Sequence, residues 1–377
     1  MIVNKPVMLA AGGTGGHLFP AEALATELHK RGVKTILVTD DRASHFTSDT
    51  FSGDTIYQIR SATPSTGSIF HKIKAAFILF KATRTARKLL LKIRPSVVIG
   101  FGGYPTVPPL LAATTFGIPS LLHEQNGVIG RANRFLASRV DVIATGFPSV
   151  KGLSEALKTK QNYVGNPVRA MVEIASHTPY PEFNTQTPLK LLVFGGSQGA
   201  RVMSDVVPAM IALLPEHIRA RIELTQQARS EDLKRLTQMY AQQGFNVVLE
   251  SFFSDLPVRI ANSHLIIGRS GASTVAELAA IGRPSILVPL PGAIDQDQAA
   301  NAQLLSDVGA ATVIAQPELT PEKLAEVILS YFDTPSRLTA AAMAAKSVGR
   351  LDAAARLADI VMALAHNNTN TIQETQS

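Results

Sequence analysis

The chain has 377 residues, a length that predicts two domains, and its 46% hydrophobic and 17% charged residues exclude global disorder. It has no cysteine, which excludes disulfides, thiolate catalysis and cysteine metal sites and fits a reducing compartment. Its net charge of +7 favours anionic partners such as nucleic acid, acidic lipid headgroups or phosphorylated substrates.

The two ends of the chain show no pattern typical of membrane insertion. Near the start, only Lys5 precedes an apolar stretch that Gly12 and Gly13 end at once, which is unlike a secretory signal. No stretch reaches the ~20 apolar residues of a spanning helix. We therefore expect a soluble protein or one on a membrane surface, with a frayed polar tail after Ala365.

In the first half of the chain, short apolar runs that end in glycine alternate with helical patterns. The predicted strands are 6–11, 34–39, 96–100, 120–123 and 140–145, and an amphipathic helix is predicted over about 20–31. Strands and helices in alternation predict a parallel sheet with helices on both faces.

The alternation lapses between about 148 and 189, a region with several prolines that we interpret as inter-domain. It then resumes, with predicted strands at 189–194, 221–225, 246–249, 265–267 and 285–288. Each half opens with a strand, a glycine-rich loop and a helix. The sequence therefore predicts an α/β protein with two Rossmann-like domains that face each other across a central cleft.

The two opening loops are GGTGGH at 12–17 and GGSQGAR at 195–201. Glycines between a strand and a helix let backbone amides approach a phosphate, although they also simply make tight turns. Neither loop fits G-x-G-x-x-G or a Walker loop, which disfavours NAD binding and P-loop phosphotransfer.

Two further segments of the second half suit a nucleotide sugar. RSGASTVAE at 269–277 opens a predicted helix, whose first amides suit a phosphate, and Glu277 suits ribose hydroxyls unless it is a solvated helix charge. Further on, Asp295, Gln298 and Asn301 are three residues apart, so they share a helix face that suits a sugar. Alternatively, Asp295 only caps that helix.

Polar residues also follow two predicted strands of the first half. FGGYPTVPP at 101–109 and HEQN at 123–126 are expected at the same sheet edge as His17. Four polar side chains in a row after an apolar strand favour a functional role over a plain turn.

In chain order, GGTGGH, FGGYPTVPP, HEQN, GNPVR at 165–169, GGSQGAR, RSGASTVAE and the D-x-x-Q-x-x-N-A frame at 295–302 resemble the bacterial MurG family. This resemblance implies a glycosyltransferase of GT-B architecture that moves N-acetylglucosamine (GlcNAc) from UDP-GlcNAc to lipid I, undecaprenyl-pyrophosphoryl-MurNAc-pentapeptide. The product would be lipid II, for peptidoglycan synthesis, cell shape and cell division.

The resemblance also implies the division of the chain. Residues 1–165 would form the acceptor- and membrane-binding domain, joined by a C-terminal helix at 348–366. Residues 166–347 would form the domain that binds UDP-GlcNAc. The enzyme would lie on the cytoplasmic face of the bacterial inner membrane as a peripheral protein.

The family's donor site implies roles for individual residues. Ser197 and its loop would hold phosphate, the backbone of Phe253 would read uracil, and Gln298 and Asn301 would hold the sugar. The segment for phosphate and ribose would comprise Ala272, Ser273, Thr274, Val275, Ala276 and Glu277. From the other side of the cleft, the donor would be met by Thr14, Gly15, Gly16, Asn126 and Arg169.

An inverting transfer needs a base for the acceptor hydroxyl and a stabiliser for departing UDP. His17 is the first candidate for the base, because the ordinary pKa of imidazole suits that task, and Glu124 is the second. His17 alternatively only caps its loop or positions the acceptor. Helix N-termini and Arg169 would meet the leaving diphosphate, so we expect no cofactor and no tightly held metal.

Residues 69–94 carry eight lysines or arginines and no acid. Ile73, Phe77, Leu79 and Phe80 can gather on one side of a helix, and a basic amphipathic helix suits an anionic lipid surface. The alternative is an ordinary packed surface helix. Nucleic-acid binding is not expected, because the few aromatic side chains here lie among aliphatic ones.

Two other functions remain open on the sequence alone. One is a UDP-GlcNAc 2-epimerase, which shares the two-domain architecture but needs no membrane surface. The other is a non-catalytic protein that binds a nucleotide sugar or nucleic acid.

Overall fold

The computed structural model describes residues 5–41, 50–51, 55–59, 69–196, 199–292 and 296–374, without the side chains of 69–74 and 367–374. The chain forms two compact units. The first comprises Met1–Arg169 and Leu351–Ser377, and the second comprises Ala170–Arg350.

The first unit is a parallel sheet covered by helices. Its strands are β1 (Val7–Ala10), β2 (Thr35–Thr39), β3 (Ile56–Gln58), β4 (Val97–Gly100), β5 (Ser120–Glu124), β6 (Val142–Thr145) and β7 (Gln161–Tyr163). Its helices are α1 (Gly15–Lys30), α2 (Ile69–Ile93), α3 (Val107–Thr115), α4 (Arg131–Leu136), α5 (Glu155–Lys158) and, from the far end of the chain, α15 (Ala353–Glu374). A 3-10 helix at Tyr104–Thr106 precedes α3. The strand order is β3-β2-β1-β4-β5-β6-β7.

The second unit repeats this design. Its strands are β8 (Leu189–Phe194), β9 (Ile222–Gln227), β10 (Val247–Glu250), β11 (Leu265–Gly268), β12 (Ser285–Leu287) and β13 (Ala311–Val313). Its helices are α6 (Ala170–Ala175), α7 (Arg201–Leu213), α8 (Glu216–Arg219), α9 (Ser230–Gln242), α10 (Leu256–Ala261), α11 (Ala272–Ile281), α12 (Asp297–Ser306), α13 (Pro321–Asp333) and α14 (Ser336–Val348). A 3-10 helix at Gln316–Glu318 precedes α13. The strand order is β10-β9-β8-β11-β12-β13.

Both strand orders follow the Rossmann pattern, in which the chain runs outward from the centre in one direction and then in the other. The reversal falls between β1 and β4 in the first sheet and between β8 and β11 in the second. At such a reversal the two loops leave toward opposite faces, so a crevice opens at the carboxyl ends of the strands. Each unit therefore has one place where a ligand is expected.

All ten predicted strands are present, and the predicted α/β class is confirmed. Sequence reading missed β3, β7 and β13, which are short strands at or near sheet edges and are only partly buried. Without an unbroken apolar run, such strands lack the signal of a buried parallel strand. The first helix was also predicted too short, because α1 begins at Gly15 and includes the glycines assigned to a loop.

Helix α15 completes the core of the first unit. Its Leu357 and Val361 are fully buried in the same apolar cluster as Leu9 of β1 and Leu24 of α1. Arg31, at the end of α1, donates a hydrogen bond to Ala355 O at 3.2 Å. Since a buried aliphatic side chain contributes about 1.5–3 kcal/mol, these contacts attach α15 firmly to α1.

We predict that Leu357→Ala lowers the free energy of unfolding of the first unit by about 2–5 kcal/mol, because it leaves a cavity in this core. Urea unfolding of the full chain measures the change. Met343→Ala, in α14, is the matched control, since Met343 is 71% exposed. Equal stability of the two variants would contradict the placement of α15.

Candidate active site

In the first unit, the loops after β1 and β4 touch each other at the point of reversal. Gly12 N donates to Gly102 O at 3.1 Å. A Cβ on Gly103 would lie 3.2 Å from Gly12 Cα, and Gly102 and Gly103 have φ values of 91° and 78°. Both the close approach and the left-handed backbone require glycine here.

His17 lies beside this contact, in the first turn of α1 and not in the loop where sequence reading put it. Its Nδ1 lies 2.9 Å from Thr14 Oγ1. A Cβ on Gly102 would lie 3.2 Å from His17 Nε2, so the other ring nitrogen is directed at the loop after β4. The imidazole is half-buried at the crevice of the first sheet.

Glu124, at the end of β5, is 1% exposed and accepts hydrogen bonds at both carboxylate oxygens. Oε1 accepts from Asn126 N at 3.0 Å and from Asn126 Nδ2 at 3.3 Å. Oε2 accepts from Gly130 N at 2.9 Å and from Asn133 Nδ2 at 2.8 Å. Burial raises the pKa of Glu124, while these donors act in the opposite direction.

The residues on either side of Glu124 form a second buried network. His123 Nε2 donates to Gly165 O at 3.0 Å, and burial lowers the pKa of His123 to about 4, so the ring is neutral. Gln125 Nε2 donates to Phe101 O at 2.7 Å, and Asn166 Nδ2 donates to Gln125 O at 2.9 Å. The loops after β4, β5 and β7 are thereby joined.

Arg169 is brought to the same edge of the first sheet through Phe19. Its guanidinium carbon lies 4.7 Å from the centre of the Phe19 ring. A Cβ on Gly15 would lie 2.9 Å from Phe19 Cε2, so the ring in turn touches the start of α1. The structure therefore groups Thr14, Gly15, Gly16, His17 and Arg169, while Glu124 lies at the end of β5 and Asn126 lies just after that strand.

In the second unit, the loop after β8 is held against the next strand. Gly195 N donates to Gln227 Oε1 at 3.2 Å, and Gln227 Nε2 donates to Ser251 O at 3.2 Å. A Cβ on Gly195 would lie 2.2 Å from Ala200 N, so only glycine fits this turn. Ser197, assigned to phosphate, lies outside the described residues.

Across the reversal, α11 begins at Ala272 with the extended Gly271 before it. The first amides of a helix have no acceptor within the helix, and they carry the positive end of its dipole. Ala272, Ser273 and Thr274 are partly exposed, whereas Glu277 is only 6% exposed. Glu277 is therefore not the solvated helix charge that was the alternative to a ribose contact.

The side chains assigned to the sugar connect neighbouring loops. Asn301 is fully buried, and its Nδ2 donates to Ser270 O at 3.2 Å. Ser270 Oγ donates to Gln298 O at 2.7 Å, and Leu290 N donates to Gln298 Oε1 at 3.0 Å. These contacts attach α12 to the loops after β11 and β12, next to the first amides of α11.

Phe253, assigned to the base, lies in the loop after β10. It is 5% exposed, and the guanidinium carbon of Arg259 lies 4.4 Å from its ring centre. Arg259 in turn pairs with Glu250 at 2.9 Å and Asp255 at 2.7 Å. The buried ring thus anchors the loop. Only the backbone of Phe253 is then expected to be available to a ligand.

Sequence reading missed the residues that hold these loops, above all Gln125, Asn166 and Gln227. For Gln125 and Gln227 the signal was a polar side chain at or just beyond the end of a predicted strand, whereas Asn166 follows the polar strand β7 and gave no such signal. Gln227 in particular was overlooked because β9 was predicted to end at Thr225.

Asp295 and Asp297 form one Asp-x-Asp pair in the sequence, but Asp295 lies outside the described residues. Within the parts of the chain that the structure describes, no group of three or more His, Cys, Asp or Glu side chains is placed to hold a metal ion.

We predict that the chain loses stability as pH falls from 6.5 to about 4, in part through His123. In that window the imidazole of His123 binds a proton in the unfolded chain but stays neutral in the folded one. One such group lowers the free energy of unfolding by up to ~1.4 kcal/mol for each pH unit. In urea unfolding across this range, His123→Gln should show a flatter slope, while the exposed-site control His177→Gln keeps the wild-type slope. Equal slopes for all three proteins would contradict a neutral His123.

Two family models match the chain. The glycosyltransferase family 28 N-terminal domain matches residues 7–145, and the family 28 C-terminal domain matches residues 190–359. The first match ends with β6, and the second runs from β8 into α15.

A curated relative from Methylorubrum extorquens (strain PA1) is 52% identical over 96% of this chain and 98% of its own length. It is named UDP-N-acetylglucosamine--N-acetylmuramyl-(pentapeptide) pyrophosphoryl-undecaprenol N-acetylglucosamine transferase. Among solved structures, Acinetobacter baumannii MurG is 29% identical, with a TM-score of 0.77 over 95% of this chain and 99% of that chain.

A UDP-N-acetylglucosamine 2-epimerase structure also matches, with a TM-score of 0.65 over 94% of each chain, but at 14% identity it shows only a shared fold. The two family models and the near full-length relative, by contrast, show the family. The chain belongs to glycosyltransferase family 28 and, within it, to the MurG family.

Proposed function

We propose that this chain is the inverting transferase that moves GlcNAc from UDP-GlcNAc to the C4 hydroxyl of MurNAc in lipid I, forming lipid II. The observation that carries the proposal is the contrast between the two crevices. The imidazole of His17 lies where the strand order of the first sheet reverses. The N-terminus of α11, beside the glycine turn after β8, lies where the strand order of the second sheet reverses. The activity in the name of the Methylorubrum relative agrees with the proposed transfer.

The base is His17. When Nδ1 carries the ring proton, it donates to Thr14 Oγ1, and Nε2 is left as the basic nitrogen. Nε2 takes the proton of the acceptor hydroxyl while that oxygen attacks the anomeric carbon of GlcNAc. The bond from that carbon to the β-phosphate oxygen breaks, UDP leaves, and a single displacement inverts the anomeric configuration.

Departing UDP carries the charge that must be stabilised. The amides of Ala272, Ser273 and Thr274 and the positive end of the α11 dipole suit its phosphates. Glu277 is assigned to the ribose hydroxyls and the backbone of Phe253 to uracil. Gln298 and Asn301 complete the donor site next to the sugar, partly by fixing the loops around it.

Glu124 acts as a positioning residue and not as the base. It is buried, and its two carboxylate oxygens accept four hydrogen bonds. These bonds fix the turn in which Asn126 lies. A carboxylate that already accepts four donors has little capacity for the proton of a substrate. Asn126, Arg169, Thr14, Gly15 and Gly16 are assigned to the donor from the first unit.

The direct test is transfer of labelled GlcNAc from UDP-GlcNAc to a soluble lipid I analogue, with UDP-GalNAc as the control donor. We expect label in a disaccharide lipid from UDP-GlcNAc alone. Conversion of UDP-GlcNAc into a second UDP-sugar would instead show an epimerase, and the absence of any turnover would show a binding protein.

We predict that Gly102→Ala lowers kcat by on the order of 10²-fold, because its Cβ would lie 3.1 Å from His17 Cδ2 and displace the ring. UDP affinity should change much less than kcat, because most of the proposed contacts to UDP lie in the second unit. Gly117→Ala is the matched control, since Gly117 also has a left-handed φ of 63° but no atom within 4 Å of its Cβ position. If both variants kept wild-type kcat, His17 would not be the base.

The outer face of α2 supports a peripheral position on an anionic membrane. Phe77 and Phe80 are 56% and 65% exposed, and Lys81 Nζ lies 4.6 Å from the centre of the Phe77 ring. Arg84 and Lys88 continue the same face by helical spacing, while α2 packs its other side on α3. Ile73 lies among residues whose side chains are outside the description. None of the helices in the described part of the chain could span a membrane.

We predict that Phe77→Ser/Phe80→Ser abolishes most flotation with phosphatidylglycerol vesicles, because both rings would otherwise insert below the headgroups. Leu213→Ser/Met343→Ser, at two exposed apolar residues of the second unit, should float like the wild type. Equal flotation of the two double variants would contradict the assignment of α2 as the membrane-binding helix.

A further inference from the structure

A buried arginine lies at the C-terminal end of α11, the end opposite to the proposed phosphate site. Arg283 is 2% exposed, and its guanidinium donates to main-chain carbonyls from three different segments. These carbonyls belong to Ile281 (2.9 Å) and Gly282 (3.1 Å), to Ala261 (3.0 Å), and to Thr178 and Pro179 (3.0 Å each). Burial lowers its pKa to about 10, so it keeps its charge at neutral pH.

The three segments are the end of α11, the end of α10 and the connection that follows α6. Within the described residues, no carboxylate pairs with Arg283, so its charge is balanced by carbonyl dipoles, two sets of which are helix C-termini. The planar fork of arginine suits this use, because it can donate in several fixed directions at once. A simple helix cap needs only one of these partners.

Lys346, in the last turn of α14, adds a second cation at the same place. Its Nζ donates to Ser176 O, just after α6, and to Ala280 O of α11, at 2.8 Å each. The end of α14 also touches α11 directly, since a Cβ on Gly349 would lie 2.5 Å from Ala279 O. Lysine and arginine together therefore attach α6 and α14 to the end of one helix.

These attachments hold the two helices next to the places where the chain passes from one unit to the other. The first passage is at Arg169–Ala170, where α6 begins, and the second is at Arg350–Leu351, one residue after Gly349. Both passages are thus anchored to the C-terminal end of α11. Its N-terminal end, ten residues and ~15 Å away, carries the donor motif.

We propose that Arg283 and Lys346 are positioning residues that couple the phosphate-binding end of α11 to both chain passages. A diphosphate bound at the N-terminus of α11 holds the helix in place, and the two cations extend that restraint to α6 and to the end of α14. The inference rests on the proposed donor site but concerns residues that do not touch the donor.

The test compares wild type with Arg283→Met and uses UDP as the probe. Calorimetry gives its dissociation constant, and hydrogen–deuterium exchange at saturating UDP gives the protection of residues 170–176 and 346–351. In wild type, UDP should slow exchange in both segments. In Arg283→Met, UDP should bind about 2- to 30-fold more weakly and no longer slow exchange at 170–176.

Arg221→Met is the matched control. Arg221 also donates to two main-chain carbonyls of the second unit, Asn184 O at 2.7 Å and Thr187 O at 2.9 Å, but they lie away from α11. This variant should bind UDP and slow exchange as the wild type does. A loss of protection in both variants would show a general loosening of the unit and would overturn the coupling.

The coupling would also be overturned if UDP slowed exchange at 170–176 in Arg283→Met as much as it does in the wild type, whether or not UDP bound more weakly. If Arg283→Met does not fold, as judged by circular dichroism, Lys346→Met supplies the same readouts, because Lys346 is exposed and its loss leaves no buried cavity. Failure of UDP to bind wild-type protein would overturn the donor site itself. If wild-type protein binds UDP and transfers GlcNAc, but UDP does not slow exchange at 170–176 or 346–351, only this inference is overturned.

Discussion

The reversal of strand order in each sheet is the constraint on which the rest of this protein depends. Because β1 and β4, and likewise β8 and β11, send their loops to opposite faces, a crevice is expected at the carboxyl ends of these strands. The backbones at its floor approach closely, as Gly12 does to Gly102 and Gly195 to Ala200. Glycine is required at these points for steric reasons, before any ligand is considered.

Around these crevices, several of the polar residues hold loops in place. Glu124, Gln125 and Asn166 hold loops in the first unit, and Gln227 and Asn301 do so in the second. His17 differs from them because it is half-buried and directed at the loop after β4. The proposed division of labour follows, with a proton acceptor on one unit and phosphate-binding amides on the other.

Much of this was predictable from sequence, because most buried parallel strands are apolar runs, and β1, β4, β6, β8 and β11 end in or are followed by glycine. The ten strands and the position of the loops followed from that pattern. The roles of Glu124 and Asn301 did not follow from the pattern. The sequence alone does not show whether a polar side chain faces a ligand or a neighbouring loop. The Arg283 contacts join segments more than a hundred residues apart, such as Thr178, which no local pattern reveals.

Titration of the ¹⁵N-labelled protein with UDP, followed by amide chemical shifts, tests most directly whether the second crevice holds the nucleotide. The largest shifts should fall on Gly195, Gly196 and Gly199 and on residues 271–274, with smaller ones at Phe253. The amides of Gly12 and Gly13 should respond less, because UDP lacks the sugar and the acceptor. Dominant shifts in the first unit, or none at the start of α11, would contradict the proposed donor site.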